Sequence, residues 1–246
     1  MPKYREDKDL EILKDADNEM LGILVDYLTH DRDGGKWFTE RLSKNEEFLA
    51  AKGDYQQVWQ LIAAELQLFG GDTIANMIRG EGVLYREVLT DVCKKAHVKI
   101  DLGDNVEIDI IEKALIARIF ENSWAAMTPD EKREVKEDLK IDLDENDSVS
   151  LTTILEGISK GYFSYQVSML IASSFANAVL GTNIALLAGF AGAVGASRLI
   201  GALAGSIGIA VTSIFTIPMI SGPAYRVTLP AVVQVAAIRQ QLKQKI

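Results

Sequence analysis

Cys93 and His97 are the side chains whose types and spacing come closest to a reactive pair in this sequence. They lie four residues apart in a segment predicted to be helical. This spacing puts both on one helix face, as a thiol and a base or two metal ligands would need. Only His30 is left as a further histidine. Because a lone cysteine on the inner side of a helix is usually a small core residue, we expect no catalytic residue, metal site or cofactor.

The acidic run around residue 144 resembles the start of a calcium-binding loop. Asp142, Asp144 and Asn146 alternate as the first ligands of such a loop do. The loop also needs glycine at its sixth place and glutamate at its twelfth, and these places hold Asp147 and Thr153. The pattern therefore excludes a calcium loop of this type.

Four glycines fall between residues 70 and 82. No Gly-Lys-Ser/Thr triplet follows them, so a phosphate-binding loop would lack both its charge and its geometry. We interpret them as helix ends. Arg79 and Arg86 flank the last two glycines, and we expect them to pair with Glu65 or Asp72 in a structural corner rather than a site.

Charge divides the chain into two parts. Residues 1–160 carry 21 basic and 35 acidic side chains, a net charge of −14, whereas residues 161–246 carry five basic side chains and no acid. An acidic part of this size argues against nucleic acid as a partner, because phosphate binding needs a basic surface. The boundary predicts an acidic helical domain over 1–160 and a hydrophobic, membrane-interacting hairpin with a basic amphipathic tail over 161–246.

Apolar residues at helical spacing predict an all-α fold, an acidic helical bundle followed by a hydrophobic helical hairpin and a basic C-terminal helix. Thr128, Pro129 and Glu131 together form a strong signal for the start of a helix. Residues 98–102 alternate between apolar and polar, as a short strand or an extended link would. The segments predicted to be helical are 10–28, 37–49, 55–69, 83–96, 106–126, 129–139 and 151–159.

The second part is long enough to cross a membrane. Residues 161–197 and 199–225 contain no charged side chain, and about 20 apolar residues suffice to span a bilayer. We expect spans near 176–194 and 202–220, with Arg198 at the hairpin turn because a charge at the bilayer centre is costly. The first residues of the chain have no apolar stretch of the secretory kind, so we expect an internal segment to direct any membrane contact.

Small residues recur in this region at intervals that allow helices to approach closely, and in lipid such packing replaces the missing hydrophobic force. The candidate packing positions are Gly189, Gly192, Gly201, Gly205 and Gly208. Arg239, Lys243 and Lys245 then give the tail a basic face suited to anionic lipid. A helix that is apolar all round can also be the central helix of a soluble bundle, and this alternative stays open.

Two blocks of sequence resemble the YaaW family of uncharacterised bacterial proteins, Trp59–Asn76 with its Phe69-Gly70-Gly71-Asp72 run, and Ser221–Val232. The resemblance covers nearly the whole chain, and residues 4–10 resemble a short domain of unknown function often attached to that family. It implies no established activity. Some relatives carry a ubiquinol-cytochrome c chaperone label, which implies helical assembly work at a respiratory membrane. Motif residues with an expected structural role are Trp59, Glu65, Gly70, Gly71, Asp72, Arg79, Tyr85, Arg86, Tyr225 and Arg226.

These observations lead to two functional hypotheses of different classes. The first is a non-enzymatic protein at the cytoplasmic face of the inner membrane, with membrane lipid as its partner, whose hairpin anchors it, oligomerises it or perturbs the bilayer. The second is a soluble, cytoplasmic helical chaperone or adaptor, in which the hydrophobic region is a buried core or holds a protein client.

Overall fold

The computed structural model describes residues 3–30, 41–70, 82–139, 150–180 and 223–245. Helices joined by loops make up these ranges. No strand occurs in these ranges, so the predicted all-α class is confirmed. Three short 3-10 helices cover Glu11–Asp15, Leu42–Lys44 and Tyr55–Val58. The α-helices are α1 Asn18–Thr29, α2 Glu46–Ala50, α3 Trp59–Phe69, α4 Tyr85–Lys95, α5 Ile108–Ala126, α6 Pro129–Asp138, α7 Leu151–Lys160, α8 Ser164–Leu180 and α9 Pro223–Gln244.

Local signals set most of these helix ends. Helix α6 begins with the predicted capping box, in which the Thr128 hydroxyl accepts from the Glu131 backbone N–H and the Glu131 carboxylate accepts from the Thr128 N–H. Helix α3 ends at Gly70, as expected. Of the predicted helix over 37–49, residues 37–40 lie outside the described residues. The remainder is divided at Asn45, whose side chain accepts from the Phe48 N–H and so starts α2 after the 3-10 helix Leu42–Lys44.

The segment after α4 is an extended link and not a strand. Helix α4 ends in a Schellman arrangement, in which the Val98 N–H donates to the Cys93 carbonyl (3.0 Å) and the His97 N–H donates to the Lys94 carbonyl (3.2 Å). His97 takes the left-handed position of this motif, with φ of 55°. The apolar residues of the 98–102 alternation therefore belong to a link and not to a strand, and Val98 and Leu102 pack against the core.

Helix α9 is the central helix of the described structure. Residues 227–240 are buried without interruption, and α9 packs against α1, α3, α4, α5 and α8. A helix apolar on most of its surface is stable in water only when neighbours cover it on every side. One hydrophobic core thus joins residues on both sides of Lys160, so the charge boundary in the sequence is not a boundary in the core. The segment expected to be a surface tail is the axis of the fold.

Helices α1, α5 and α8 run antiparallel to α9. The starts of α1, α5 and α8 meet the last turns of α9 through three pairs at 2.8 Å each: Asp17 with Lys245, Asp109 with Lys243 and Ser164 with Gln240. We call this end of the bundle, around Gln240–Lys245, the tail end. The opposite end, around Pro223–Arg226, is called the base end. Because α8 and α9 are antiparallel neighbours, Leu180 and Pro223 both lie at the base end.

Candidate functional site

The most polar part of the interior is an ion pair between α5 and α9. Glu112 is fully buried, and its carboxylate accepts from Arg239 Nε at 2.7 Å and from the Tyr85 hydroxyl at 2.8 Å. Arg239 Nη2 also donates to the backbone carbonyl of Asp9 at 2.6 Å. A buried ion pair is tolerated only when further hydrogen bonds satisfy the groups that it removes from water. This network therefore ties α4, α5, α9 and the N-terminal segment together.

Burial sets the protonation of this network. It raises the pKa of the Glu112 carboxyl above its ordinary value, and the charge of Arg239 offsets only part of that rise. Burial also raises the pKa of Tyr85 well above its ordinary value, so the phenol keeps its proton and acts as a donor. The arrangement is a buried network in which Arg239 and the Tyr85 hydroxyl both donate to the Glu112 carboxylate.

The N-terminal segment is held by side chains far away in sequence. Asp7 accepts from the Tyr85 backbone N–H at 2.6 Å, and Tyr85 is the first residue of α4. The helix has no cap of its own, because its N-cap residue is Leu84. Gln67 of α3 donates to the Arg5 carbonyl and accepts from the Arg5 N–H. Asp7 thus supplies the missing cap, and Gln67 holds the chain beside it.

Three cations of α9, Arg239, Lys243 and Lys245, contact other segments towards the tail end. Arg239 is buried, which differs from the lipid-facing position expected for it. Lys243 and Lys245 are half-exposed, and each pairs with a carboxylate at 2.8 Å. Against the raising effect of burial, Lys243 lowers the pKa of the Asp109 carboxyl. The physical reason is that α9 is central, so its last turns meet the acidic first turns of α1 and α5.

The base end carries a different set of residues. Tyr225 lies in the first turn of α9, with Lys95 Nζ 5.3 Å from its ring centroid. Arg226 is exposed beside it. Residues 181–222, which contain Arg198 as their one charged side chain, lie outside the described residues. The predicted packing glycines at 189, 192, 201, 205 and 208, the predicted turn at Arg198 and most of both predicted spans lie outside the described residues.

Cys93 and His97 do not form a reactive pair. Helix α4 ends at Lys95, so His97 is beyond the helix and exposed, while Cys93 is fully buried. Burial raises the pKa of the Cys93 thiol to about 12, with the charge of Glu112 contributing. The thiol therefore keeps its proton at neutral pH and is a poor nucleophile. Within the described ranges no group of three potential ligands is placed to hold a metal ion.

Four of the motif residues, Trp59, Glu65, Gly70 and Arg86, pack against or hydrogen-bond with other parts of the chain. Trp59 meets Tyr4 edge to face at 5.3 Å between ring centroids. The buried Glu65 accepts from the Arg41 backbone N–H at 3.0 Å. Arg86 donates to the carbonyls of Gly103 and Val106, so it holds the loop before α5 and does not pair with Glu65 as expected. A Cβ at Gly70 would lie 2.5 Å from the methyl groups of Val83 and Val88. Gly71, Asp72 and Arg79 lie outside the described residues.

Sequence reasoning missed the interior network. Glu112 stands on an otherwise apolar helix face with Ile108, Ile111 and Leu115, and an acid in such a place needs a partner when the face is buried. That signal was available. The identity of the partner was not, because Arg239 lies 127 residues further along the chain.

Comparisons with known proteins show relatives along nearly the whole chain. A UPF0174 protein of Helicobacter pylori (strain J99) is 34% identical over 244 residues, which cover 98% of this chain and 94% of that protein. The UPF0174 protein YaaW of Escherichia coli (strain K12) is 34% identical over 248 residues, covering 97% and 96%. Residues 4–38 match a family described as a domain of unknown function, DUF3944. No solved structure matches the chain. Among the described residues, no helix has both the length and the apolar character needed to cross a membrane.

Proposed function

This chain belongs to the UPF0174 family, and from that premise we propose that it is a non-enzymatic helical protein that associates with the inner membrane, on its cytoplasmic face, through residues 181–222. The observation that carries the proposal is the antiparallel pairing of α8 and α9. It brings Leu180 and Pro223 to the base end, so the largely uncharged stretch between them starts and finishes at one end of a packed helical body.

A hydrophobic hairpin enters and leaves a bilayer on the same side, so its two ends must lie close together. The α8–α9 pair meets this requirement, since packed helices lie about 8–10 Å apart. Residues 181–222 contain a single charged side chain, Arg198, near the middle of the stretch. A charge there is least costly at the far headgroup region, where a hairpin turns. In this arrangement the body stays in water and the hairpin anchors it.

The test separates the hairpin from the body. Residues 181–222 are replaced by a Gly/Ser linker of about ten residues, whose mean span of roughly 17 Å suffices to join neighbouring helices. Membrane pellets from cells expressing each form are extracted first with carbonate and then with detergent. We expect the full chain to need detergent, and the linker variant to stay in the supernatant and to unfold in a single cooperative thermal transition. Release of the full chain by carbonate would contradict insertion.

A second candidate is a soluble helical chaperone or adaptor. The observation that favours it is that α8, an uncharged helix, serves as core in the described structure, with Val167, Leu170, Ile171 and Phe175 buried. A helix of this composition needs apolar cover, and protein provides it there. This candidate expects the full chain in the supernatant without detergent, as a monomer or dimer in light scattering. The fractionation above therefore decides between the two.

A further inference from the structure

The base end carries an exposed basic surface on an otherwise acidic protein. Lys94, Lys95, His97 and Lys99 lie at the end of α4, and residues 94–99 include no acid, whereas residues 1–160 as a whole have a net charge of −14. Lys94, His97 and Lys99 are exposed. With Arg226 of α9 these residues are called the base surface.

One contact joins the two helices of this surface, and a second holds the turn after α4 in place. Lys95 Nζ lies 5.3 Å from the centroid of the Tyr225 ring, which joins the last turn of α4 to the first turn of α9. Arg226 follows Tyr225 and is exposed. The Arg118 side chain donates to the Ala96 carbonyl and holds the turn after α4 in place. The nearest acid on α4 is Asp91, whose charge raises the pKa of Tyr225 after the larger effect of burial.

The backbone at His97 points to a role other than stability. The left-handed position of a Schellman motif is most often occupied by glycine, because a Cβ strains the backbone there. Here it is occupied by histidine, with φ of 55°, and the imidazole is exposed. At this position the protein therefore combines a strained backbone with an exposed imidazole close in sequence to Lys94, Lys95 and Lys99.

The tail end is arranged in the opposite way. Its lysines are paired with carboxylates, Lys243 with Asp109 and Lys245 with Asp17. Because carboxylates of the protein largely neutralise their charges, these lysines attract an external anionic surface only weakly. At the base end, Lys94, Lys99 and Arg226 are exposed and form no ion pair with a carboxylate of the described residues, whereas Glu121 near the same turn is paired with Arg118. The base end is also where Leu180 and Pro223 lie.

We propose that the base surface binds anionic lipid headgroups and orients the body with its base end on the bilayer. The proposal rests on the function proposed above and specifies its surface. Charge complementarity supports it, since cations near an anionic leaflet bind with additive strength. The surface includes the first turn of α9, where the stretch 181–222 ends, so headgroup binding and insertion would act at the same end of the body.

The experiment compares matched sets of three charges at the two ends of the full chain. The base variant is Lys94→Gln, Lys99→Gln and Arg226→Gln. The tail variant is Lys14→Gln, Lys243→Gln and Lys245→Gln, in which Lys14 pairs with Glu11 and lies three residues before Asp17, the partner of Lys245. Binding is measured by co-flotation with vesicles of phosphatidylglycerol and phosphatidylcholine in equal parts, at low and high salt, and with vesicles of phosphatidylcholine alone. A third variant, Lys94→Arg, Lys99→Arg and Arg226→Lys, keeps the charge, and circular dichroism checks that every variant folds.

We expect the base variant to lose roughly a hundredfold in partition onto anionic vesicles, from the additive effect of three cations. The tail variant and the charge-keeping variant should bind as the original chain does, and added salt should weaken their binding. Equal losses in the base and tail variants, no loss in either, or no binding of the original chain to anionic vesicles would each overturn the proposal. Carbonate extraction tests the hairpin separately, so a detergent-dependent protein with an ineffective base variant would refute the base surface alone.

Discussion

At the scale of single residues, the buried pair of Glu112 and Arg239 is the most consequential polar contact described. Both side chains are largely removed from water, and the carboxylate also accepts from Tyr85. The desolvation of two charges is offset only while both remain present and hydrogen-bonded. Removing one partner is therefore expected to cost much more than removing the charges of both.

Arg239→Met should lower the free energy of unfolding by roughly 3–5 kcal/mol at neutral pH, because it leaves Glu112 charged, buried and without its counter-ion. The double substitution Glu112→Gln with Arg239→Met should recover part of this loss, since glutamine keeps an acceptor for the Tyr85 hydroxyl. Urea unfolding of the single and double variants measures the difference. A double variant less stable than Arg239→Met would show that the ionised carboxylate is favourable even without arginine.

The same variant makes a prediction about pH. Burial already raises the pKa of Glu112 above its ordinary value of 4.5, and loss of Arg239 removes the main opposing effect. A carboxyl with a raised pKa in the folded state contributes stability below the ordinary pKa and loses it as pH rises through the raised one. The defect of Arg239→Met should therefore shrink as pH falls from neutral towards 5. A defect that is constant over this range would contradict the burial of an ionisable Glu112.

His97→Gly should raise the free energy of unfolding by about 1 kcal/mol, because it relieves a left-handed backbone position. Ala96→Gly is the contrasting control, since Ala96 has an ordinary right-handed conformation and is buried, so glycine there adds freedom to the unfolded chain and removes a buried methyl group. Urea unfolding should show opposite signs for these two substitutions. Destabilisation by His97→Gly would mean that the imidazole makes stabilising contacts that outweigh the strain.

At the scale of elements, the helices separate into those that the chain caps locally and those that need help from a distance. Helix α6 has its own capping box, and Ser150 caps α7 through the Thr153 N–H. Helix α4 begins after Leu84 and takes its cap from Asp7 of the N-terminal segment. The first turn of α4 is consequently capped only when the N-terminal segment is docked.

Asp7→Ala should lower the free energy of unfolding by about 1–3 kcal/mol, since the buried Tyr85 N–H would lose its acceptor. Asp7→Asn keeps a side-chain oxygen and should recover part of the loss. Glu6→Ala is the matched control, as Glu6 is exposed. Hydrogen exchange at the Tyr85 amide should accelerate in Asp7→Ala and not in Glu6→Ala. Unchanged exchange in Asp7→Ala would show that the cap is dispensable.

At the scale of the whole molecule, the last helix belongs to the same core as the first. Helix α9 lies between α1, α3, α4, α5 and α8, and its residues 227–240 are buried. Helices in the acidic part therefore present apolar faces to a partner that comes from residues 223–244. Residues 1–160 are consequently incomplete without the segment on the other side of the charge boundary.

A chain ending at residue 160 should fail to fold cooperatively, because the faces that cover α9 would be exposed to water. The variant in which a linker replaces residues 181–222 is the control, since it retains α8 and α9 and should unfold in a single cooperative transition. Thermal unfolding followed by near-ultraviolet circular dichroism distinguishes them. A cooperative transition in the chain of residues 1–160 would show that the acidic part is an autonomous domain.

Much of the secondary structure could be predicted from sequence. The starts of α6 and α7, the end of α3 at Gly70 and the span of α5 follow from residues within four positions of each other. Residues 106–126 were expected to be helical, and α5 covers Ile108–Ala126. The break of the predicted 37–49 helix at Asn45 was missed, although its capping side chain is itself a local signal.

The amino-acid sequence by itself determined most of the helices, the local caps of α6 and α7, the family and the long stretch with a single charge, because helix formation and local capping depend on neighbours along the chain. Only the tertiary structure decided that α9 is central, that Glu112 meets Arg239 and that the cations of the tail are paired while those of the base end cluster. The physical reason is that apolar composition requires cover from water without specifying whether lipid or protein provides it. An ion pair likewise depends on which distant segments pack together, and composition does not record that choice.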